Sequence, residues 1–290
     1  MLPSVKLDLS GERFTVVYRA RYDGTDPWEV ARHIAVEQTV EFPADLVPAG
    51  DIRDHVVGRI EAMEVVDDRH VDVTISYAVE IASFELPQLL NVVYGNISMR
   101  AGVRVERLDV SERLLAAFRG PRFGRDGLRV LLGVPDRPLL CTAIKPMGLS
   151  SSALADLAYR FALGGIDIVK DDHGLTDQPF APFAERVPRC AEAVARANRE
   201  TGRRCLYFPN VTAPFEKMLE RAQLAKAVGA GGLLVAPGII GFDAMRRLAD
   251  DDGLGLPVMS HPAFLGSLIA LTEHGIAPAV LFGQIARLAG

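Results

Sequence analysis

The sequence is poor in what several protein classes need. Its 290 residues include three cysteines and one tryptophan, and no apolar run is long enough to cross a bilayer. Cys141, Cys190 and Cys205 are odd in number, lack metal-type spacing, and each sits in an apolar or helical context suited to a buried thiol. Disulfides are therefore not expected. The apolar stretch GGLLVAPGIIG is broken by Pro237 and Gly238, and the N-terminus MLPSVKLDLSGER lacks a signal peptide's apolar core. Positive charge is in deficit: 32 Lys and Arg stand against 37 Asp and Glu, with no basic patch of the kind nucleic acid needs. These absences lead to the expectation of a cytoplasmic, mildly acidic protein that binds neither nucleic acid nor membrane.

What is present is ample apolar material, 49% of residues, enough for a large core. Residues 1–125 mix strand-like runs (RFTVVYRARY, HVDVTISYAVEI) with helical ones (DPWEVARHIAVEQT, LPQLLNVVYGN), the pattern of an α+β domain. A segment rich in Gly, Pro and Arg, 118–138, marks a change of rhythm. Over 126–290 short, almost wholly apolar runs alternate with amphipathic helical ones at roughly thirty-residue spacing, as buried parallel strands and their crossover helices do. The best match is a parallel (β/α)8 TIM-type barrel, with a doubly wound sheet as the other reading. About five β-α units are visible, the last being LPVMSHPA followed by PAVLFGQIARLAG, so a closed barrel would need three more beyond Gly290.

Active sites of such barrels lie at the C-terminal ends of the strands. Here those ends carry Lys145; then Lys170, Asp171, Asp172 and His173; then Asn210 and Thr212; then Ser260 and His261. Side chains alternate along a strand, so Lys170 and Asp172 share a face and Asp171 points the other way. KDDH alone reads rather as a solvated strand end whose carboxylates cap a helix or pair with lysine. A second lysine on the neighbouring strand end alters the balance, because two lysines at buried strand ends require carboxylates, phosphate or metal to compensate them. His261 by itself fits a core histidine as well as a functional one. His33, His55, His70 and His274 carry no assigned role, and LGGIDI and GAGGLLV read as helix stops because they precede strands.

CTAIKPMGLS, GGIDIVKDDHGLTDQPFAPFAERV, NVTAPFEKMLERAQLAKAVGA and MSHPAF together resemble the ribulose bisphosphate carboxylase large chain and its RuBisCO-like relatives. Weaker likeness covers the first 125 residues, around Glu37, Asn96 and AFRGPRFG. The resemblance implies an N-terminal α+β (ferredoxin-like) domain before the barrel. It also implies that CO₂ converts Lys170 to a carbamate which, with Asp172 and His173, holds Mg²⁺. Lys145 would be the base that removes a proton next to the substrate carbonyl, and His261 an active-site histidine. Glu37 and Asn96 would reach a partner subunit's barrel, implying a homodimer. The chemistry is coherent, because an ammonium beside two carboxylates is stabilised in its charged form and reacts with CO₂ only when a divalent cation balances the negative charge.

The departures from the family pattern narrow the function. Met147 stands where carboxylases have a second lysine, Pro262 where they have a phosphate-gripping arginine, and His173 where they have a glutamate ligand. Carboxylation of a bisphosphate is not expected. The resemblance points instead to a Mg²⁺-dependent enzyme forming an enediolate from a small sugar-type monophosphate. Its first reading is decarboxylation of a 3-oxo sugar-acid phosphate such as 3-oxo-isoapionate 4-phosphate, and its second is isomerisation or enolisation of a methylthio-sugar phosphate. A metal-independent aldolase forming a Schiff base on Lys145 or Lys170, and a non-catalytic truncated product, are the remaining readings.

Overall fold

The computed structural model describes residues 5–290, which form two compact units. The first runs to Phe118 and also takes in Leu265–Leu288; the second comprises Arg119–Phe264 with Ala289–Gly290.

In the first unit β1 (Arg13–Arg21) alternates strictly, burying Phe14, Val16, Tyr18 and Ala20 and leaving the intervening residues partly wet. It pairs antiparallel with β3 (His70–Ala78) on one side and β4 (Val103–Asp109) on the other, and β2 (Arg59–Val65) extends the sheet beyond β3. Helix α1 (Pro27–Glu37) starts where the Asp26 side chain accepts from the Trp28 N–H and Pro27 presets the first turn. Its buried stripe of Val30, Ala31, Ile34 and Ala35, with Leu86, Leu89, Val92 and Val93 of α2 (Leu86–Tyr94), supplies the helical half of the core. Each of the Val, Leu and Ile side chains among them contributes roughly 1.5–3 kcal/mol by burial. A one-turn helix α3 (Glu112–Leu115) follows β4.

The open edge of β4 takes one further strand, the two-residue β10 (Gly275–Ile276), in parallel. The Ala277 N–H donates to Val105 O at 2.8 Å, and Gln284 Nε2 donates to Leu108 O at 2.7 Å. PAVLFGQIARLAG, expected as the helix of a fifth barrel unit, packs with the first unit through Pro278–Leu288, where Val280, Leu281 and Ile285 are buried, while Ala289–Gly290 fall with the second. Gly275 has φ +108, and a Cβ there would lie 2.0 Å from Leu268 O, so only glycine makes this turn.

The second unit is β/α. Parallel strands β5 (Cys141–Ile144), β6 (Ile168–Asp171) and β7 (Leu206–Phe208) form one sheet, and β8 (Leu233–Val235) with β9 (Val258–Ser260) another. A parallel bridge from Asn210 to Leu234 joins the two into a five-strand series in chain order. The connecting helices are α5 (Ser151–Leu163), α6 (Phe183–Thr201), α7 (Phe215–Ala227), the short α8 (Pro237–Ile240) and α9 (Phe242–Ala249). Serine and glycine set their ends: Ser150 Oγ accepts from the Ala153 N–H, and α6 stops at Gly202 in the left-handed region. Helix α4 (Gly124–Leu132) precedes β5, and its Leu128 and Leu132 pack with Val134, Ile168, Leu206, Phe208 and Met259. Gly232, expected only to stop a helix, sits where a Cβ would come within 2.3 Å of the Phe208 ring. Cys190 and Cys205 are buried, but Cys141 is exposed, contrary to its apolar sequence context.

Candidate active site

The parallel register assembles the site. Ile144 is the partner of Asp171, so one residue further on Lys145 lies beside Asp172. Lys145 Nζ is 3.2 Å from Asp172 Oδ1, while the other carboxylate oxygen faces the Gly174 N–H at 3.4 Å. Burial acts against the Asp172 carboxylate, but Lys145, the Gly174 N–H and neighbouring His173 outweigh it and hold the group below its ordinary range. Lys145 is 63% exposed, so its ion pair is worth about 1 kcal/mol or less to stability.

His173 leaves the strand and turns back. Its Nδ1 is 3.6 Å from Asp172 Oδ1, and its ring stacks on His261 with centroids 4.4 Å apart and planes 13° from parallel. The His261 N–H donates to Val235 O, fixing that residue to the end of β8. Its Nδ1 accepts from the Ala263 N–H at 3.1 Å, which assigns the neutral ring's proton to Nε2. Burial, followed by the charges of His173 and Lys170, lowers its proton affinity, so the ring is neutral near pH 7.

Lys170 is partly buried, and its Nζ donates to the backbone oxygen of Asp171 at 3.3 Å. The close ion pair to Asp172 is thus made by Lys145, although Lys170 and Asp172 share a strand face. Among the described residues no three His, Cys, Asp or Glu side chains are placed to hold a metal. Asp172 and His173 supply two donors. A divalent cation fits only if Lys170 contributes a third, as its CO₂-derived carbamate would, and the mixed oxygen and nitrogen set is less typical of Mg²⁺ than an all-oxygen one.

Behind the strand lies a cluster that sequence reading missed. Asp171 is fully buried, receiving Tyr207 OH at 2.7 Å, the Asn210 N–H at 3.0 Å and Arg186 Nη2 at 3.2 Å. Burial pushes its carboxyl up, and these three donors pull the other way. Burial likewise opposes the Arg186 guanidinium, but Asp171 outweighs it and keeps the group charged. A signal did exist: Arg186 interrupts the apolar stripe Phe183, Val187, Cys190 and Val194, and Asp171 alternates onto the helix-facing side. Glu37 and Asn96 lie together in the first unit, Asn96 Nδ2 donating to Glu37 Oε1 at 3.2 Å. Lys145, Lys170, Asp172, His173 and His261 lie in the second.

Parallel strands whose C-terminal ends gather lysines, a carboxylate and two histidines define a β/α protein of the RuBisCO-like kind. The chain belongs to the RuBisCO large-chain family: residues 126–290 match the ribulose bisphosphate carboxylase large chain, catalytic domain. It is 38% identical over 284 residues to ribulose bisphosphate carboxylase-like protein 1 of Rhodopseudomonas palustris, covering 98% of this chain and 75% of that one. It is 34% identical over 280 residues to 5-methylthioribulose-1-phosphate isomerase of Rhodospirillum rubrum, covering 96% and 73%. A 2,3-diketo-5-methylthiopentyl-1-phosphate enolase of Geobacillus thermodenitrificans is 37% identical over 219 residues, 75% of this chain and 53% of that protein. Among solved structures, a Rubisco-like protein from Rhodopseudomonas palustris superposes with a TM-score of 0.86 at 36% identity, over 96% of this chain and 75% of the other. A dimeric archaeal Rubisco from Hyperthermus butylicus gives 0.89 at 28% identity, over 96% and 67%.

Proposed function

We propose that this protein is an enzyme that forms an enediolate from a small phosphorylated sugar or sugar acid, with Lys145 moving the proton at the reacting carbon. The observation that carries this reading is the placement of the exposed Lys145 ammonium 3.2 Å from Asp172 Oδ1, beside the stacked pair of His173 and His261. Asp172, His173 and Lys170 as its carbamate are the residues that would hold Mg²⁺. When bound, the cation supplies polarisation of the substrate carbonyl.

For a 3-oxo sugar-acid phosphate such as 3-oxo-isoapionate 4-phosphate, the bond to the carboxylate breaks. Its electron pair becomes the carbon–carbon double bond of the enediolate, CO₂ leaves, and the Lys145 ammonium gives a proton to carbon, becoming the neutral amine. Neutral His261, with its proton on Nε2, is suited to donate a hydrogen bond to an oxyanion. Isomerisation or enolisation of a methylthio-sugar phosphate uses the same groups in the other sense: Lys145, which must first shed a proton to become the neutral amine, takes the proton next to the carbonyl and returns to the ammonium. The 34% and 37% identities to proteins named as an isomerase and an enolase of such compounds favour this second reading. In both, Met147 and Pro262 replace cationic side chains with uncharged ones, which argues against a bisphosphate substrate. Glu37 and Asn96 of a second copy complete the site in a cytoplasmic homodimer.

The test offers the purified protein both substrate classes in D₂O with Mg²⁺ and bicarbonate. Release of CO₂ from the 3-oxo acid supports decarboxylation; isomerised or enolised product, with deuterium at the carbon next to the carbonyl, supports the second reading. EDTA is expected to abolish either activity and Mg²⁺ to restore it. Borohydride trapping of a substrate–lysine adduct in the presence of EDTA would replace both readings with Schiff-base chemistry.

A further inference from the structure

We propose that Arg186, Asp171 and Tyr207 are positioning residues for the candidate cation centre, acting through the backbone that carries Lys170, Asp172 and His173. The inference rests on the cation-centre reading given above and extends it to groups that touch neither substrate nor cation.

Asp171 and Arg186 are both 0% exposed and form an ion pair at 3.2 Å on the helix-facing side of β6. Stability alone does not explain such a pair, since well-packed apolar residues of similar volume often serve a buried site equally well or better. What a hydrocarbon cannot provide is directional tethering. Arg186 donates to Ala181 O and, at 2.8 Å, to Thr176 O, holding two points of the loop that follows the strand. The Asn210 side chain donates to His173 O at 2.8 Å and to Leu175 O at 3.0 Å, holding two more. Asn210 is itself registered to Asp171 by its backbone N–H, and Tyr207 OH fixes the other carboxylate oxygen.

Lys170 and Asp172 flank Asp171 and, by alternation, face the opposite side. Any rotation of the Asp171 peptide units therefore displaces both. Lys170 Nζ rests on the Asp171 carbonyl, so even the ammonium's position is referred to the same residue. Buried partners that orient metal ligands from behind commonly change cation affinity 10–100-fold when altered.

The test measures Mn²⁺ binding to the full chain in bicarbonate-equilibrated buffer, by the electron paramagnetic resonance signal of the free ion, together with the thermal midpoint. Tyr207→Phe removes one hydroxyl and keeps the ring; Mn²⁺ affinity is expected to fall about tenfold. Val187→Ala, on the same helix as Arg186 and equally buried, provides the structural control and is expected to lower the midpoint while leaving affinity unchanged. If Tyr207→Phe does not fold, Arg186→Lys, which keeps the charge and loses the fork, is read in its place. Wild-type affinity in the folded variant would overturn the proposal, as would an equal loss in Val187→Ala. Absence of Mn²⁺ binding in the unaltered protein would instead remove the cation reading, and this inference with it.

Discussion

Lys145 and Asp172 stand 3.2 Å apart because the β5–β6 register places consecutive strand ends side by side, so the ammonium supplies the carboxylate's counter-charge. Lys145→Met is therefore expected to leave the fold nearly unchanged, within about 1 kcal/mol in urea unfolding, since the pair is solvent-exposed on the lysine side. Turnover of the true substrate should fall roughly 10²–10⁴-fold, the usual range for a lost acid–base group. A variant that unfolds readily, or that keeps full turnover, would assign the lysine a structural role instead.

His261 provides a pH prediction. Its folded-state proton affinity lies below the ordinary histidine value of 6.5, chiefly because of burial. The contribution this shift makes to stability is fully present above pH 6.5 and is lost as pH falls through the lower folded value. In an NMR titration the His261 ring should remain neutral at pH 7 and protonate below 6.5, whereas titration above 6.5 would contradict the geometry. His261→Gln should flatten this component of the pH–stability profile.

The thiols should divide into two groups. Burial pushes both Cys190 and Cys205 up to about 12, while Cys141 is exposed. A chromogenic disulfide reagent is expected to modify one thiol in the native protein and the other two only after denaturation. Rapid reaction of all three would show that the helix-facing side of the strands is open to solvent.

Gly232→Ala tests the packing beside β8. The added Cβ would meet the Phe208 ring at 2.3 Å, close to the cluster around Ile168 and Leu132. A destabilisation of about 1–3 kcal/mol is expected in chemical unfolding, as for other overpacked cores.

Much of this architecture was legible from residues 139 onward because buried parallel strands leave an apolar run ended by polar groups. That Lys145, Lys170, Asp172 and His261 stand at strand ends was legible on that pattern, whereas the roles expected of them came from the family resemblance. The return of His173 onto His261 could not, since alternation says nothing once the chain leaves the strand. Arg186 was hidden by its distance: fifteen residues separate it from Asp171, and a charged residue in an amphipathic helix is ordinarily read as solvated. The packing of the C-terminal segment with the first unit was not legible, because a two-residue strand, Gly275–Ile276, carries no periodicity. Its place is decided by the free edge of β4, a non-local pairing. The change of rhythm near 125 falls close to the division at Phe118, but it could not reveal that Leu265–Leu288 rejoins the first unit.

The most direct measurement of the central claim is carbon-13 NMR of the protein equilibrated with ¹³C-bicarbonate and Mg²⁺. The account predicts a carbamate resonance that requires the cation, disappears with EDTA, and is absent from Lys170→Arg. A spectrum with no such resonance, or one unchanged in Lys170→Arg, would contradict it.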